Sequence, residues 1–208
     1  GFVYPKAYNA DDVKVFSAQL ALKERNLGLE DGHFRIIVLI ETPEAVHNAY
    51  EIAKASPRVE ALLFGSEDFL ADMEGTHGIG GRSILVPRHL VSMAAKASGI
   101  LAIDTPYVKV GDMEGLREHI KQARELGFDG MLVMSPRELE IVKELYTPSE
   151  KEISEAKEIV RLSEEAIKSN RGIAMYNGVF ISPPTLSRAK KTLKKYQDII
   201  DYQNYLEK

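Results

Sequence analysis

An α/β fold with a parallel sheet covered on both faces is predicted by three features of the 208-residue sequence. Short apolar runs alternate with longer amphipathic stretches, in five units between Phe2 and Leu145. The short runs are too apolar to leave one face wet, as expected of strands sandwiched between helices. Polar residues stand where these runs end, at Lys6, Glu41, Glu67, Asp68, Asp104 and Ser135.

Phe2–Tyr4 reads as a strand stopped by Pro5, and residues 10–23 as a helix. Residues 34–40 form the next strand and 44–55 its helix; Val59–Phe64 is the third strand. A Gly-rich loop over 74–81 leads to a helix over 85–98. The fourth unit pairs strand 100–104 with helix 113–126, and the fifth pairs strand 130–134 with helix 136–145. After Tyr146 the rhythm changes. Ser149 reads as an N-cap, Glu152 completes a capping box, and the helix so started runs to about Lys168. A short hairpin is expected around Asn177-Gly178, and Pro183-Pro184 opens a last helix. Two domains follow: 1–146, the strand-helix units, and 147–208, an appendage of helix, hairpin and helix.

A doubly wound sheet and a (β/α)8 barrel both fit this alternation. No strand runs into the GxGxxG turn of a dinucleotide fold, and the one glycine cluster, "GTHGIGGR", reads as a mobile loop. The net charge of −4 gives no basis for expecting nucleic acid or an anionic membrane as partner. The basic run from Arg188 to Lys195 fits the solvated side of an amphipathic helix, with Leu186, Leu193 and Tyr196 on the other side. Absence of cysteine rules out a thiolate nucleophile or ligand and suits a reducing cytoplasm. No apolar stretch approaches the roughly 18–20 residues that span a bilayer.

Chemistry is sought at the C-terminal strand ends, where barrel enzymes gather their functional side chains. Asp104 or Ser135 alone reads as an N-cap for the following helix. Glu41 and Asp68 are different: at neighbouring strand ends they point into one mouth, and like charges held close repel unless a cation sits between them. A hard ion such as Mg²⁺, which takes one or two carboxylates and leaves its other positions to water and substrate oxygens, suits the pair. His33, His47, His77, His89 and His119 are scattered without ligand spacing and read as surface or structural residues.

The stretches "PKAYNADDV", "IETPEAVHNAYEIAKASPRVEALLFGSEDFLADM", "AIDTPYVKVGDMEGL", "ELGFDGMLVMSPREL" and "YTPSEKEISEAKEI" together resemble one family. It is the citrate lyase β-subunit-like branch of the HpcH/HpaI aldolase superfamily, which includes malyl-CoA and citramalyl-CoA lyases. The resemblance implies a (β/α)8 TIM barrel and a Mg²⁺-dependent carbon–carbon lyase, Mn²⁺ being the alternative metal. Its substrate would be a 3-hydroxyacyl thioester of CoA or of an acyl carrier, cleaved to an acyl thioester and a 2-keto acid. It further implies that Glu41 and Asp68 hold the metal and act in catalysis, that Thr42 stands beside it, and that Pro43 starts the next helix. The Gly65 turn would expose the N–H groups of Ser66, Glu67 and Asp68 to the keto acid's carboxylate. A cytoplasmic homo-oligomer, a trimer or hexamer, is implied as well.

Two departures from the family pattern stand out. Family members begin with about three further strand-helix units, so the chain is expected to hold the last five units of the eight that close a barrel. A longer chain or a partner chain would supply the rest. In the appendage, Asn177 stands where the family carries an acid before a turn glycine, and an amide transfers no proton at neutral pH. The family's "HPSQ"-like stretch is replaced by Ser135-Pro136-Arg137-Glu138. Two alternatives stay open beside the thioester lyase: an aldolase of the same superfamily acting on a free hydroxy-keto acid, and a non-catalytic metabolite-binding or half-barrel partner subunit.

Overall fold

The computed structural model describes residues 1–169 and 172–206. The chain divides into two compact units, Gly1–Tyr146 and Thr147–Lys208.

In the first unit, strands β1 (Phe2–Tyr4), β2 (Ile36–Ile40), β3 (Val59–Phe64), β4 (Leu101–Asp104) and β5 (Gly130–Met131) form one sheet in sequence order. Every neighbouring pair is parallel. Parallel neighbours need a crossover connection, so all five strands end at the same side of the sheet. Ile40 pairs with Phe64, which brings the residues that follow β2 and β3 together. The sheet stays open among the described residues, with β1 and β5 each hydrogen-bonded to one neighbour.

Burial follows position in the sheet. Ile36, Val38 and Ile40 of β2 are fully buried, and Ala61–Phe64 of central β3 are buried on both faces. Helices α1 (Ala10–Leu27), α3 (Ala49–Lys54) and α5 (Leu85–Ala97) add Val13, Leu20, Ile52 and Val91 to the same core. Each such side chain contributes about 1.5–3 kcal/mol by leaving water. A smaller cluster joins Leu116 and Ile120 of α6 (Met113–Glu125) to Tyr146, the last residue of α7 (Pro136–Tyr146).

Several sequence expectations are corrected. The helix over 44–55 is two, α2 (Pro43–His47) and α3, parted at Asn48, whose side chain leaves the helix to donate from Nδ2 to the carbonyl of Tyr8 at 2.9 Å. Helix α4 (Ser66–Asp72) starts directly after β3 and was not foreseen, because its N-cap is Gly65, which offers no side-chain cap. The strand expected over 130–134 pairs only at Gly130 and Met131. Within the glycine cluster, Ile79–Ile84 winds into 3-10 turns broken at Gly80 (φ 65) and Gly81 (φ 71).

At the sheet's other end a buried ion pair ties α1 to the start of β3. Both Arg58 terminal nitrogens donate to the Glu24 carboxylate at 2.6 Å, and the amides of Gly32 and Phe34 complete its partners.

In the second unit, α8 (Glu150–Lys168) starts with the expected capping box: the Glu152 amide donates to Ser149 Oγ, and the Ser149 amide to Glu152 Oε2. Strands β6 (Met175–Tyr176) and β7 (Val179–Phe180) pair antiparallel across Asn177 (φ 48) and Gly178 (φ 76). Helix α9 (Pro183–Leu206) packs along α8. Ala189 is buried and Leu186, Leu193 and Tyr196 are half-buried, while Arg188, Lys190, Lys191 and Lys194 are exposed.

Candidate functional site

Glu41 is the first residue after β2. It is only 3 % exposed, because Thr42 and Pro43 turn the chain at once into α2. Thr42 is the N-cap of that helix: its Oγ1 accepts the Ala45 amide at 3.1 Å, which fixes the turn that aims Glu41. Pro43 occupies the first turn, where a missing N–H costs nothing.

Asp68 comes from the next strand end, as the third residue of α4. The crossing from β3 needs Gly65. A Cβ there would lie 2.9 Å from Glu41 Cβ and 3.2 Å from Leu39 Cδ1, so the glycine is what allows α4 to begin against Glu41.

Between the two carboxylates stands a cation the sequence reading did not place there. Lys6, just beyond β1, puts Nζ 2.6 Å from Asp68 Oδ1 and 3.9 Å from Glu41 Oε1. Its backbone amide also donates to Glu41 Oε1 at 2.9 Å. Three successive strand ends thus converge on one charge cluster. Burial pushes the Glu41 carboxyl above its ordinary range, with the nearby Asp68 adding to the effect and Lys6 opposing it. The hydrogen bond from Lys6 holds Asp68 below its ordinary range. Two carboxylates driven apart in this way are a recurring mark of functional sites.

The amide of Ser66, expected to face a substrate carboxylate, is already engaged. It donates to Thr105 Oγ1 at 3.1 Å, and the Thr105 hydroxyl donates back to Ser66 Oγ at 2.8 Å. Both residues are buried. The amides of Glu67 and Asp68 are left as the candidate donors at this turn. The Glu67 side chain is half-exposed and hydrogen-bonds the ring of His77.

Asp104 is not the N-cap the sequence suggested. It is wholly buried and held by Arg88, itself wholly buried, with Nε donating to Oδ1 at 3.0 Å and Nη2 to Oδ2 at 2.5 Å. His119 Nε2 lies 3.1 Å from Oδ2, close enough for an ion pair though outside hydrogen-bond geometry. Burial alone would raise the Asp104 carboxyl, but the His119 ring and Arg88 guanidinium hold it below its ordinary range. Thr105 locks the end of β4 against the start of α4, and the Arg88–Asp104 pair locks it against α5. Nothing local in the sequence announces either, since the partners are 39 and 16 residues apart.

A divalent ion fits the donors present. Glu41 and Asp68 supply hard oxygen ligands, and they already gather a cation, the Lys6 ammonium. No group of three or more His, Cys, Asp or Glu side chains suited to a metal occurs among the described residues. Two carboxylates are the donor set that a hard ion such as Mg²⁺ takes, with its other positions left to water and substrate oxygens.

A family model described as HpcH/HpaI aldolase/citrate lyase matches residues 1–136. The chain belongs to that family. Within the HpcH/HpaI family it is similar to the citrate lyase subunit beta of Leuconostoc mesenteroides subsp. cremoris, at 32% identity over 98% of this chain and 68% of the relative. The mitochondrial citramalyl-CoA lyase of Mus musculus is 30% identical over 89% of this chain and 57% of the relative. Among solved structures, protein CitE from Mycobacterium tuberculosis in complex with magnesium, acetoacetate and coenzyme A superposes with a TM-score of 0.73. It is 28% identical and covers 94% of this chain, which in turn spans 67% of it. The chain thus corresponds to roughly two thirds or less of the length of these HpcH/HpaI relatives.

Proposed function

We propose that this chain carries the metal and keto-acid half of a Mg²⁺-dependent carbon–carbon lyase acting on a 3-hydroxyacyl thioester. The reading is carried by one observation: the buried Glu41 and the half-exposed Asp68, from successive strand ends, share a single cation. The similar structure crystallised with magnesium, acetoacetate and coenzyme A supports a metal, a keto acid and a CoA moiety as the ligand classes.

Glu41 and Asp68 would hold the metal, which when bound supplies a Lewis acid for the oxygens of the keto-acid moiety. Rigid positioning of Glu41 comes from the Lys6 amide and from the Thr42 cap behind it. The amides of Glu67 and Asp68, set by the Ser66–Thr105 bonds, would bind the carboxylate. Asn177 contributes no proton transfer; with φ 48 it makes the hairpin turn. An acid or base for the thioester half would therefore come from elsewhere, and a homo-oligomer or a chain supplying further strands is part of this proposal. Absence of cysteine supports a reducing, cytoplasmic setting, and no helix among the described residues is long and apolar enough to cross a membrane.

The test is a thermal-shift titration with Mg²⁺, oxaloacetate and both together, on the native chain and on Asp68→Ala. Keto-acid stabilisation that needs Mg²⁺ and is absent from the variant is the expected outcome. A native chain that never shifts ends the proposal. A panel of malyl-, citramalyl- and citryl-CoA against the free acids then separates thioester from free-acid chemistry.

A further inference from the structure

We infer that Lys6 serves in turn two anions at this site: the Glu41–Asp68 pair while no metal is bound, and the substrate's carboxylate once a metal has taken the ammonium's place. The inference rests on the function proposed above and adds a residue to it.

The backbone of Lys6 is fixed independently of its side chain. It adopts φ 52, in the left-handed region that a residue with a Cβ rarely enters. Its amide donates to Glu41 Oε1, and the loop after it is tied down by Asn48 Nδ2 on the Tyr8 carbonyl and by the Tyr8 amide on Asp12 Oδ2. The side chain is half exposed and rides on a flexible four-carbon stem, so it can move where its backbone cannot.

A divalent ion held by Glu41 and Asp68 would stand within a few ångströms of the Lys6 ammonium, which is 2.6 Å from Asp68 Oδ1 and 3.9 Å from Glu41 Oε1, and like charges that close repel. Metal entry therefore drives Nζ off Asp68, while the Lys6–Glu41 amide bond keeps the residue at the mouth. Charge indicates what the freed ammonium does next. Two carboxylates and the ammonium sum to one negative charge; a divalent ion turns this into one positive charge. That surplus matches a single substrate carboxylate, and Lys6 is the one Lys or Arg paired with Glu41 or Asp68 among the described residues.

Calorimetric titration of Mg²⁺, and of oxaloacetate at saturating Mg²⁺, into the native chain, Lys6→Met and Lys6→Gln tests both parts. Circular dichroism establishes that each variant is folded, and the backbone amide on Glu41 is kept in both. The variants should bind Mg²⁺ about three- to fivefold more tightly, the measure of a half-exposed ion pair no longer competing. Their oxaloacetate affinity should fall at least about tenfold, the measure of a lost hydrogen bond between charged groups. If the native chain binds both ligands and the folded variants match it, the role of Lys6 is refuted while the proposed function stands. If neither native chain nor variants take up Mg²⁺, both fall.

Discussion

At the scale of single residues, the candidate site depends on a side chain that is missing. Gly65 has an ordinary φ of −111, so its selection is a matter of space and not of backbone freedom. Gly65→Ala would force a Cβ to 2.9 Å from Glu41 Cβ, with Leu39 Cδ1 closing the other side at 3.2 Å. Glu41 Cβ is fixed to the backbone at the end of β2 and cannot yield cheaply, whereas the Leu39 methyl is a side-chain end that can shift a little. The substitution should destabilise the fold by about 1–3 kcal/mol, the usual cost of overpacking, and weaken Mg²⁺ binding by displacing Glu41. Urea denaturation checks the first effect and a Mg²⁺ titration the second; unchanged values for both would show that Glu41 is not seated against this glycine. Glu41, Asp68 and Gly65 were legible in the sequence because strand ends and turn glycines leave local marks. Lys6 was legible as a strand-end residue but not as the partner of residues 35 and 62 positions away, because separation in the chain carries no signal of contact in space. The same blindness hid Thr105 behind Ser66 and Arg88 behind Asp104.

At the scale of elements, the helices with side-chain caps were the easiest to read. Ser149 and Glu152 announce α8, and Asn9 with Asp12 forms the same reciprocal box at α1. Where the cap is a glycine, as before α4, or where a side chain leaves the helix for a distant carbonyl, as at Asn48, the periodic pattern gave no warning. The contact that fastens α1 to the sheet was equally silent. Glu24 reads as one more charge on a helix, yet it is fully buried against Arg58, whose hydrogen bonds, with those of the Gly32 and Phe34 amides, hold its carboxyl down at about 2 from an ordinary 4.5. A carboxyl with a depressed folded-state pKa stabilises the fold above its unfolded pKa, and loses that contribution as pH falls through the folded one. Glu24→Gln should therefore cost most stability above pH 4.5, and the gap to the native chain should narrow as pH falls from 4.5 towards about 2. Guanidinium unfolding at a series of pH values measures this directly, and a gap independent of pH would refute the assignment.

At the scale of the whole molecule, alternation of strand and helix made the sheet predictable, and the pairing shows why its strands are unequal. β3 has partners along both edges and buries nearly every side chain, whereas β1 and β5 are each bonded on one side only among the described residues. Phe2 and Val3 of β1 are 45 % and 53 % exposed, and β5 contributes just two paired residues. Local opening is easiest where buried contacts are few and backbone hydrogen bonds are open to water. Amide exchange should consequently grade across the sheet. The amides of Leu62–Phe64 and Val38–Ile40 should exchange only through global unfolding, while those of Val3, Tyr4 and Met131 should exchange orders of magnitude faster through local opening. Adding Mg²⁺ with oxaloacetate should protect the strand ends around Lys6, Glu41 and Asp68 beyond the global gain, because the ligands would join β1, the weakest of these three strands, to β2 and β3. Uniform protection across β1 to β5 without ligand would mean that the outer edges are covered in solution, and concentration-dependent sedimentation would then show whether a second copy of the chain covers them.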